Sequence, residues 1–296
     1  MVSGVSNLSG KLKVSYSQYS MWSQCPHRWK LNYIDRLSTF TDSIHTMFGT
    51  SMHEIMQIWV KTIYEVSAKA ANELDLNTML LSKMKKLYAE IMEVDGAEHF
   101  TTPEELTEFW KDGVAILDFL KKRRGDYFSK KGWVLRGIET ELNYPLTDLI
   151  GFRGFVDLIL ENKITGKIKI IDIKTSTMGW NKWMKTDKKK TDQLLLYKQF
   201  YSKQFDTPMD KIDVEYFIVK RKLYENVDWP QKRVQSFVPA NGTPSINKVV
   251  KNLSDFLDDG FDGGEHKHKD YLKNASKKTC RFCEFNQTEY CDEGIK

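Results

Sequence analysis

The sequence predicts an α/β protein in which a mixed β-sheet is flanked by helices. Three observations predict this class: helical periodicity in the N-terminal part of the chain, strand-like alternation from Trp133, and helical periodicity again from Ile246. The chain has 296 residues, of which 41% are hydrophobic, so it can bury a substantial core. Its net charge of +5 is compatible with a polyanionic partner, and no apolar run is long enough to predict a membrane span.

We expect three regions within one composite domain, of which the first, residues 1–132, is helical. Ser15 suits the N-cap of a first helix, and Pro26 suits the first turn of a second. His53 lies on a third helix that is otherwise apolar, where a histidine belongs by default to the core. Residues 67–130 are predicted to form further helices beside the core, and they lack catalytic spacing.

The second region, residues 133–220, is predicted to contain the strands. Residues 134–144 alternate as a strand does, and residues 211–220 form another candidate. The third region, residues 221–296, is expected to contain a further strand, a closing helix and a tail that carries most of the cysteines.

A β-hairpin in the second region carries most of the chemical information. Residues 155–160 and 168–173 are β-branched and aliphatic, and turn-forming residues separate them. Folding the chain at the middle of this turn places Asp157 opposite Asp172. Because strand side chains alternate with a period of two, Asp172 and Lys174 share a face. We therefore expect both carboxylates and the ammonium group to converge.

Two carboxylates in close reach repel each other unless a cation lies between them, and oxygen ligands suit Mg²⁺ or Mn²⁺. We interpret Asp157, Asp172 and the backbone carbonyl of Ile173 as ligands of such an ion, which would polarise a phosphodiester. Lys174 would hold or activate a water and offset negative charge. The alternative is an exposed hairpin with a solvated polar face. Glu139 or Glu141 on the preceding strand could serve as an extra acid near the site, but we expect both to be solvated.

The four cysteines have the spacing of metal ligands. Cys280, Cys283 and Cys291 lie close together at the C-terminus, and Cys25 lies near the N-terminus. Four thiolates complete a set for a 4Fe–4S cluster or for Zn²⁺, and the spacing does not separate the two. Two disulfides, or buried thiols without a ligand, are the alternatives.

The order of these features resembles that of the PD-(D/E)XK nuclease superfamily, most closely its RecB-like branch. The features are Phe48-Gly49-Thr50 with His53 on one helix, Gly154-x-x-Asp157, Asp172-x-Lys174, and Gln193-x-x-x-Tyr197. The resemblance extends over roughly residues 15–291. Val156 stands where the superfamily's name places proline, a residue that the RecB-like branch often lacks.

The resemblance implies a restriction-endonuclease-like fold and further site residues. His53 matches the metal-binding histidine of RecB-like enzymes, and Gln193 and Tyr197 match a pair that supports the active site or contacts DNA. The cysteines resemble the iron–sulfur staple of AddB-type and CRISPR-adaptation nucleases, in which one early cysteine joins three late ones. This favours a 4Fe–4S cluster over Zn²⁺. We expect it to be structural, because it joins chain ends that otherwise have little reason to pack.

A basic segment between the hairpin and the Gln193 helix is the strongest candidate for contacting DNA. Lysines can meet phosphates while bases stack on aromatic rings, a combination that suits single-stranded DNA. The residues predicted for this role are Trp180, Lys182, Trp183, Lys185, Lys188, Lys189 and Lys190.

Together these features predict a divalent-metal-dependent DNA nuclease. From the branch resemblance we expect an exonuclease on single-stranded DNA ends, in recombination, repair or phage DNA processing, in the cytoplasm of a bacterial or phage-infected cell. One alternative is a catalytically inactive nuclease-fold module that binds DNA within a larger complex. Another is a redox or zinc-binding interaction protein. The sequence leaves the cleavage polarity, the protein partners and the oligomeric state open.

Overall fold

A mixed β-sheet with helices on both faces forms the centre of the molecule, which confirms the predicted fold class. The structure is a computed structural model that describes residues 10–37, 43–93 and 99–295. Its strands are β1 (Leu12–Val14), β2 (Trp133–Pro145), β3 (Ile150–Asn162), β4 (Ile168–Ser176), β5 (Ile212–Lys220), β6 (Val234–Phe237), β7 (Phe261–Asp262) and β8 (Glu265–His266).

The helices lie before, between and after the strands of the sheet. They are α1 (Tyr16–Gln24), α2 (Pro26–Tyr33), α3 (Ile44–Lys61), α4 (Ala68–Glu73), α5 (Leu76–Met92), α6 (Pro103–Lys122), α7 (Arg124–Tyr127), α8 (Lys182–Thr186), α9 (Lys188–Gln204), α10 (Thr243–Gly260) and α11 (Lys277–Cys280). Ser15 caps α1 through its side chain, and Pro26 opens α2, as the sequence predicts. In the described ranges, no helix has both the length and the apolar character needed to span a bilayer.

The main sheet has the strand order β1-β3-β4-β5-β6, and β2 pairs with β3 as well. β2, β3 and β4 are joined as antiparallel neighbours, whereas β4 and β5 run parallel. A parallel pair needs a crossover connection, which α8 and α9 provide. β1 comes from the first predicted region and yet pairs in this sheet, parallel to β3.

The predicted hairpin register is confirmed. Leu158 pairs with Ile171 and Ile159 pairs with Ile170, which is the offset that sets Asp157 opposite Asp172. β3 and β4 are longer than the apolar segments predicted, because their ends also pair with β2 and β5.

Each face of the sheet is covered by its own set of helices. Ile170, Tyr216 and Ile218 belong to a core that includes residues of α1, α2, α9 and α10. Ile171, Ile173 and Phe217 belong to a second core, formed with α3, α5 and α6. Neighbouring residues on β4 and β5 thus point to opposite cores, as the period of two requires.

Trp29 on α2 is the largest fully buried side chain of the first core. It is 0% exposed, and its ring lies 5.2 Å from that of Phe256 and 5.4 Å from that of Tyr271, between centroids. An added Cβ at Gly260 would lie 2.9 Å from the Trp29 ring, so α10 approaches closely only because it ends in glycine.

Trp29→Ala is expected to lower the free energy of unfolding by about 3–5 kcal/mol, since it leaves a cavity in a packed core. The matched control is Trp183→Ala, at a tryptophan that is 80% exposed, where a change within about 0.5 kcal/mol is expected. Urea denaturation followed by circular dichroism measures both. Equal losses of stability would contradict the assignment of Trp29 to the core.

Candidate active site

The candidate site lies at a gap along one edge of β3. β1 pairs with this edge at residues 150–152, and β4 pairs with it at residues 158–161. β2 occupies the opposite edge throughout. Residues 153–157 therefore face an opening between β1 and β4, and Asp157 stands where the pairing with β4 begins.

The side chain of Asp157 reaches across this opening. Its Oδ2 accepts a hydrogen bond from the backbone N–H of Ile173 at 2.7 Å, so the N–H is satisfied where the ladder has ended. Because the N–H and C=O of one residue leave a strand on the same side, the carbonyl of Ile173 also faces the gap.

His53 reaches the site from α3, one of the helices of the second core. Its Nδ1 lies 3.6 Å from Oδ2 of Asp157. One turn earlier, an added Cβ at Gly49 would lie 3.3 Å from Oγ1 of Thr175. The glycine thus allows α3 to lie close to the end of β4, which brings the imidazole to the carboxylate.

A chain of polar contacts links the hairpin to α9. Nζ of Lys174 lies 2.7 Å from Oδ2 of Asp172 and donates a hydrogen bond to Oε1 of Gln193 at 3.2 Å. Nε2 of Gln193 donates in turn to the hydroxyl of Tyr197 at 3.0 Å. The structure thus brings together Asp157, Asp172, Lys174, Gln193, Tyr197 and His53, which the sequence selects from four separate segments.

Two residues that the sequence analysis did not select also lie here. Glu139 on β2 lines the same cleft as Asp157, and its carboxylate accepts a hydrogen bond from the side chain of Gln57. Nε2 of Gln57 also lies 3.4 Å from the backbone oxygen of Asp157. Gln57 follows His53 by four residues on α3, and this helical spacing could have identified it. For Glu139 the sequence offers no comparable signal.

The charges of the site act on one another. Burial, and then the charge of Asp172, raises the pKa of Asp157 well above its usual range, against the opposing effect of Lys174. Burial would lower the pKa of Lys174, but the carboxylates of Asp172 and Asp157 outweigh it and raise that pKa. Burial and then the charge of Lys174 lower the pKa of His53 to about 4. At neutral pH the imidazole is therefore uncharged, the form that binds metals.

The types of donor atom at the site suit a hard divalent ion. Carboxylate oxygens, a backbone carbonyl and a neutral imidazole are ligands that Mg²⁺ and Mn²⁺ accept. Oδ2 of Asp172 is buried and forms an ion pair with Nζ of Lys174 at 2.7 Å, and no other group in the described part of the chain donates to it. As they stand, no three His, Cys, Asp or Glu side chains among the described residues converge closely enough to hold an ion. Binding would therefore draw the carboxylates together.

A second cavity shares the wall that Tyr16 forms at this cleft. The first has a volume of about 360 Å³ and is lined by Asp157, Gln193 and Tyr197 on one side and by Tyr16 on the other. The second, of about 460 Å³, is lined by Tyr16 as well and by the N-terminal part of α9. The hydroxyl of Tyr16 donates to the backbone oxygen of Lys189 at 2.7 Å, which fastens α1 to α9 between the two cavities.

Three of the predicted DNA-contacting residues, Trp183, Lys188 and Lys189, line the second cavity. Lys182, Lys185 and Lys190 do not line it. The prediction that Trp180 offers a surface for base stacking is wrong in this structure. Its ring is only 6% exposed and packs on Tyr216 in the core, because its backbone is hydrogen-bonded to the side chain of Gln235.

The four cysteines meet although Cys25 is separated from the others by most of the chain. All four line one small cavity between α2 and the C-terminal tail. Polar contacts of residues that line this cavity also join the ends. The guanidinium of Arg28 pairs with Glu284, and His27 Nε2 lies 3.0 Å from the backbone oxygen of Tyr290. These contacts hold the two ends of the chain together independently of the cysteines, which the sequence analysis did not predict.

Comparison with known proteins agrees with the fold and with the order of these residues. A family model described as the PD-(D/E)XK nuclease superfamily matches residues 13–291, nearly the whole chain. The comparison with curated proteins finds no match.

Close packing against Tyr197 explains the glycine at position 154 in the Gly154-x-x-Asp157 segment. An added Cβ there would lie 2.8 Å from Cε1 of Tyr197 and 3.2 Å from a ring carbon of Phe152. Gly154→Ala is therefore expected to lower the free energy of unfolding by about 1–3 kcal/mol through overpacking. The control is Gly125→Ala on α7, where an added Cβ meets nothing within 4 Å. Urea denaturation compares the two, and equal midpoints would contradict the close contact.

Proposed function

The chain belongs to the PD-(D/E)XK nuclease superfamily, and we propose that it is a divalent-metal-dependent DNA nuclease of the RecB-like branch. The observation that carries the proposal is the meeting of Asp157, Asp172 and Lys174 at the gap in the sheet, with His53 beside them. A hydrolase that acts on a phosphodiester needs a negatively charged cation site and a positively charged group next to it, and this arrangement supplies both.

In this proposal Asp157, Asp172, His53 and the carbonyl of Ile173 hold Mg²⁺ or Mn²⁺. The ion, when bound, polarises the scissile phosphate and acidifies a water. The neutral imidazole of His53 would add a ligand without adding charge. A bound cation would offset the burial and the charge of Asp172, which together raise the pKa of Asp157.

Lys174 has the role of a fixed positive charge. The raised pKa keeps its ammonium group charged at neutral pH, where it orients the attacking water and offsets charge that builds on the phosphate. The Gln193 side chain holds this group, since its oxygen accepts from Lys174 while its nitrogen donates to Tyr197. The Tyr197 hydroxyl therefore keeps its own proton for a phosphate oxygen in the cleft.

We propose that a single strand of DNA lies along the two cavities on either side of Tyr16. The ring of Trp183 is 80% exposed at the second cavity, and a base can stack on it only when that base is unpaired. Lys188 and Lys189 flank this ring and would neutralise phosphates. Action on free ends, in recombination, repair or phage DNA processing, follows from the resemblance to the RecB-like branch.

The cysteine cavity is proposed to hold a metal centre with a structural role. Four thiols that line one cavity are the donor set of either an iron–sulfur cluster or zinc. The branch resemblance favours a 4Fe–4S cluster. Among the described residues these thiols do not converge closely enough to hold an ion, so binding of either metal centre would draw them together.

Asp172→Asn is expected to abolish cleavage of end-labelled single-stranded DNA, because it removes a buried charge from the cation site. The wild type should cut with Mg²⁺ or Mn²⁺ and not with EDTA. Asp213→Asn is the matched control, an exposed aspartate on the neighbouring strand that pairs with Lys167. A circular strand assayed in parallel tests the need for ends. Cleavage by Asp172→Asn at the wild-type rate would overturn the proposal.

Cys283→Ala is expected to lose the bound metal and most of its solubility, whereas Asp172→Asn should retain both. Elemental analysis and the visible spectrum of anaerobically purified protein distinguish iron with sulfide from zinc. Wild-type protein that contains neither metal, together with a soluble and fully active Cys283→Ala variant, would show that the cysteines form no metal centre.

A further inference from the structure

Three neighbouring strands each present a carboxylate at the same level of the sheet. On β2 and β3, Ile138 pairs with Leu158 and Thr140 with Val156, which places Glu139 directly opposite Asp157. The register of β3 and β4 then places Asp172 opposite Asp157 on its other side. Residues directly opposite on antiparallel strands bring their side chains close together, and like charges in that position destabilise the sheet.

The side chain of Glu139 is held at the cleft that Asp157 also lines. Its backbone has a φ of +47°, which turns the strand locally. The carboxylate accepts a hydrogen bond from Gln57, whose side chain is 8% exposed and also approaches the backbone oxygen of Asp157. A neutral acceptor would satisfy Gln57 equally well, so this contact does not explain why the residue carries a charge.

The charges around this row do not balance. Glu139, Asp157 and Asp172 carry three carboxylates, and Lys174 is the ammonium group that pairs with Asp172. Arg153 lines the cleft but pairs with Glu141, and Lys13 forms no ion pair within the described ranges. Asp172 is only 2% exposed, and its Oδ2 contacts Lys174 but no other hydrogen-bond donor among the described residues. The excess negative charge therefore surrounds a buried oxygen that can accept a further ligand.

We propose that Glu139 is the third carboxylate of the divalent-cation site and that its charge strengthens cation binding. The inference rests on the proposed function, because it assigns another residue to the same site. Gln57 fixes the carboxylate of Glu139 on the β2 side of Asp157, while Asp157 and Asp172 would hold the ion from β3 and β4. A bound divalent ion would reduce the repulsion among these three carboxylates.

Glu139→Gln tests the charge and keeps the hydrogen bond, since the new amide oxygen can still accept from Gln57. Mn²⁺ binding without DNA is measured by isothermal titration calorimetry and by the electron paramagnetic resonance signal of free Mn²⁺. The dissociation constant is expected to rise by about ten- to a hundredfold. Asp213→Asn, at the exposed aspartate that pairs with Lys167 away from the cleft, is the matched control and should bind as the wild type does.

Asp172→Asn separates failure of this inference from failure of the proposed function. If it loses Mn²⁺ binding while Glu139→Gln binds normally, Glu139 is not part of the cation site and the proposed function stands. If the wild type and Asp172→Asn bind Mn²⁺ equally, the cation site itself is refuted. Glu139→Ala completes the set. Weak binding by this variant combined with normal binding by Glu139→Gln would show that Glu139 only positions Gln57, which also overturns the inference.

Discussion

The interruption of pairing along one edge of β3 is the constraint on which the rest of the structure depends. β1 and β4 share this edge without meeting, so a continuous ladder gives way to an opening at residues 153–157. The N–H of Ile173 would be left without a partner there, and the side chain of Asp157 supplies one. A backbone requirement thus fixes the orientation of the carboxylate from which the candidate site is built.

The site concentrates interactions that oppose folding. Carboxylates of neighbouring strands lie close together and partly buried, and the pKa of Asp157 is raised because its charge is unfavourable there. The ion pair between Lys174 and Asp172 offsets part of this repulsion, and Gln193 holds the ammonium group in place. The two apolar cores on either side of the sheet supply the stability that allows such a cluster to persist.

The first helix links the candidate site to the cysteines. Tyr16 at its start forms one wall of the cleft at the candidate site and is fastened to α9 through the backbone of Lys189. Cys25 directly follows its end and lines the cavity that the C-terminal cysteines share. The position of this wall therefore depends on the contact of Tyr16 with α9 and on the contacts of Arg28 and His27, on the adjoining α2, with the tail.

Local periodicity determined the parts of the site that lie within one hairpin or one helix. The register of Asp157 against Asp172, the shared face of Asp172 and Lys174, and the contact of Gln193 with Tyr197 follow from the regular repeats of strands and helices. Only the tertiary structure decided which of these surfaces meet. The tertiary structure buries Trp180 and brings His53 to Asp157. It also places Glu139, whose own φ is positive, in the cleft. Such contacts join segments far apart in the chain and depend on packing and on local distortion of strands, which no repeat in the sequence encodes.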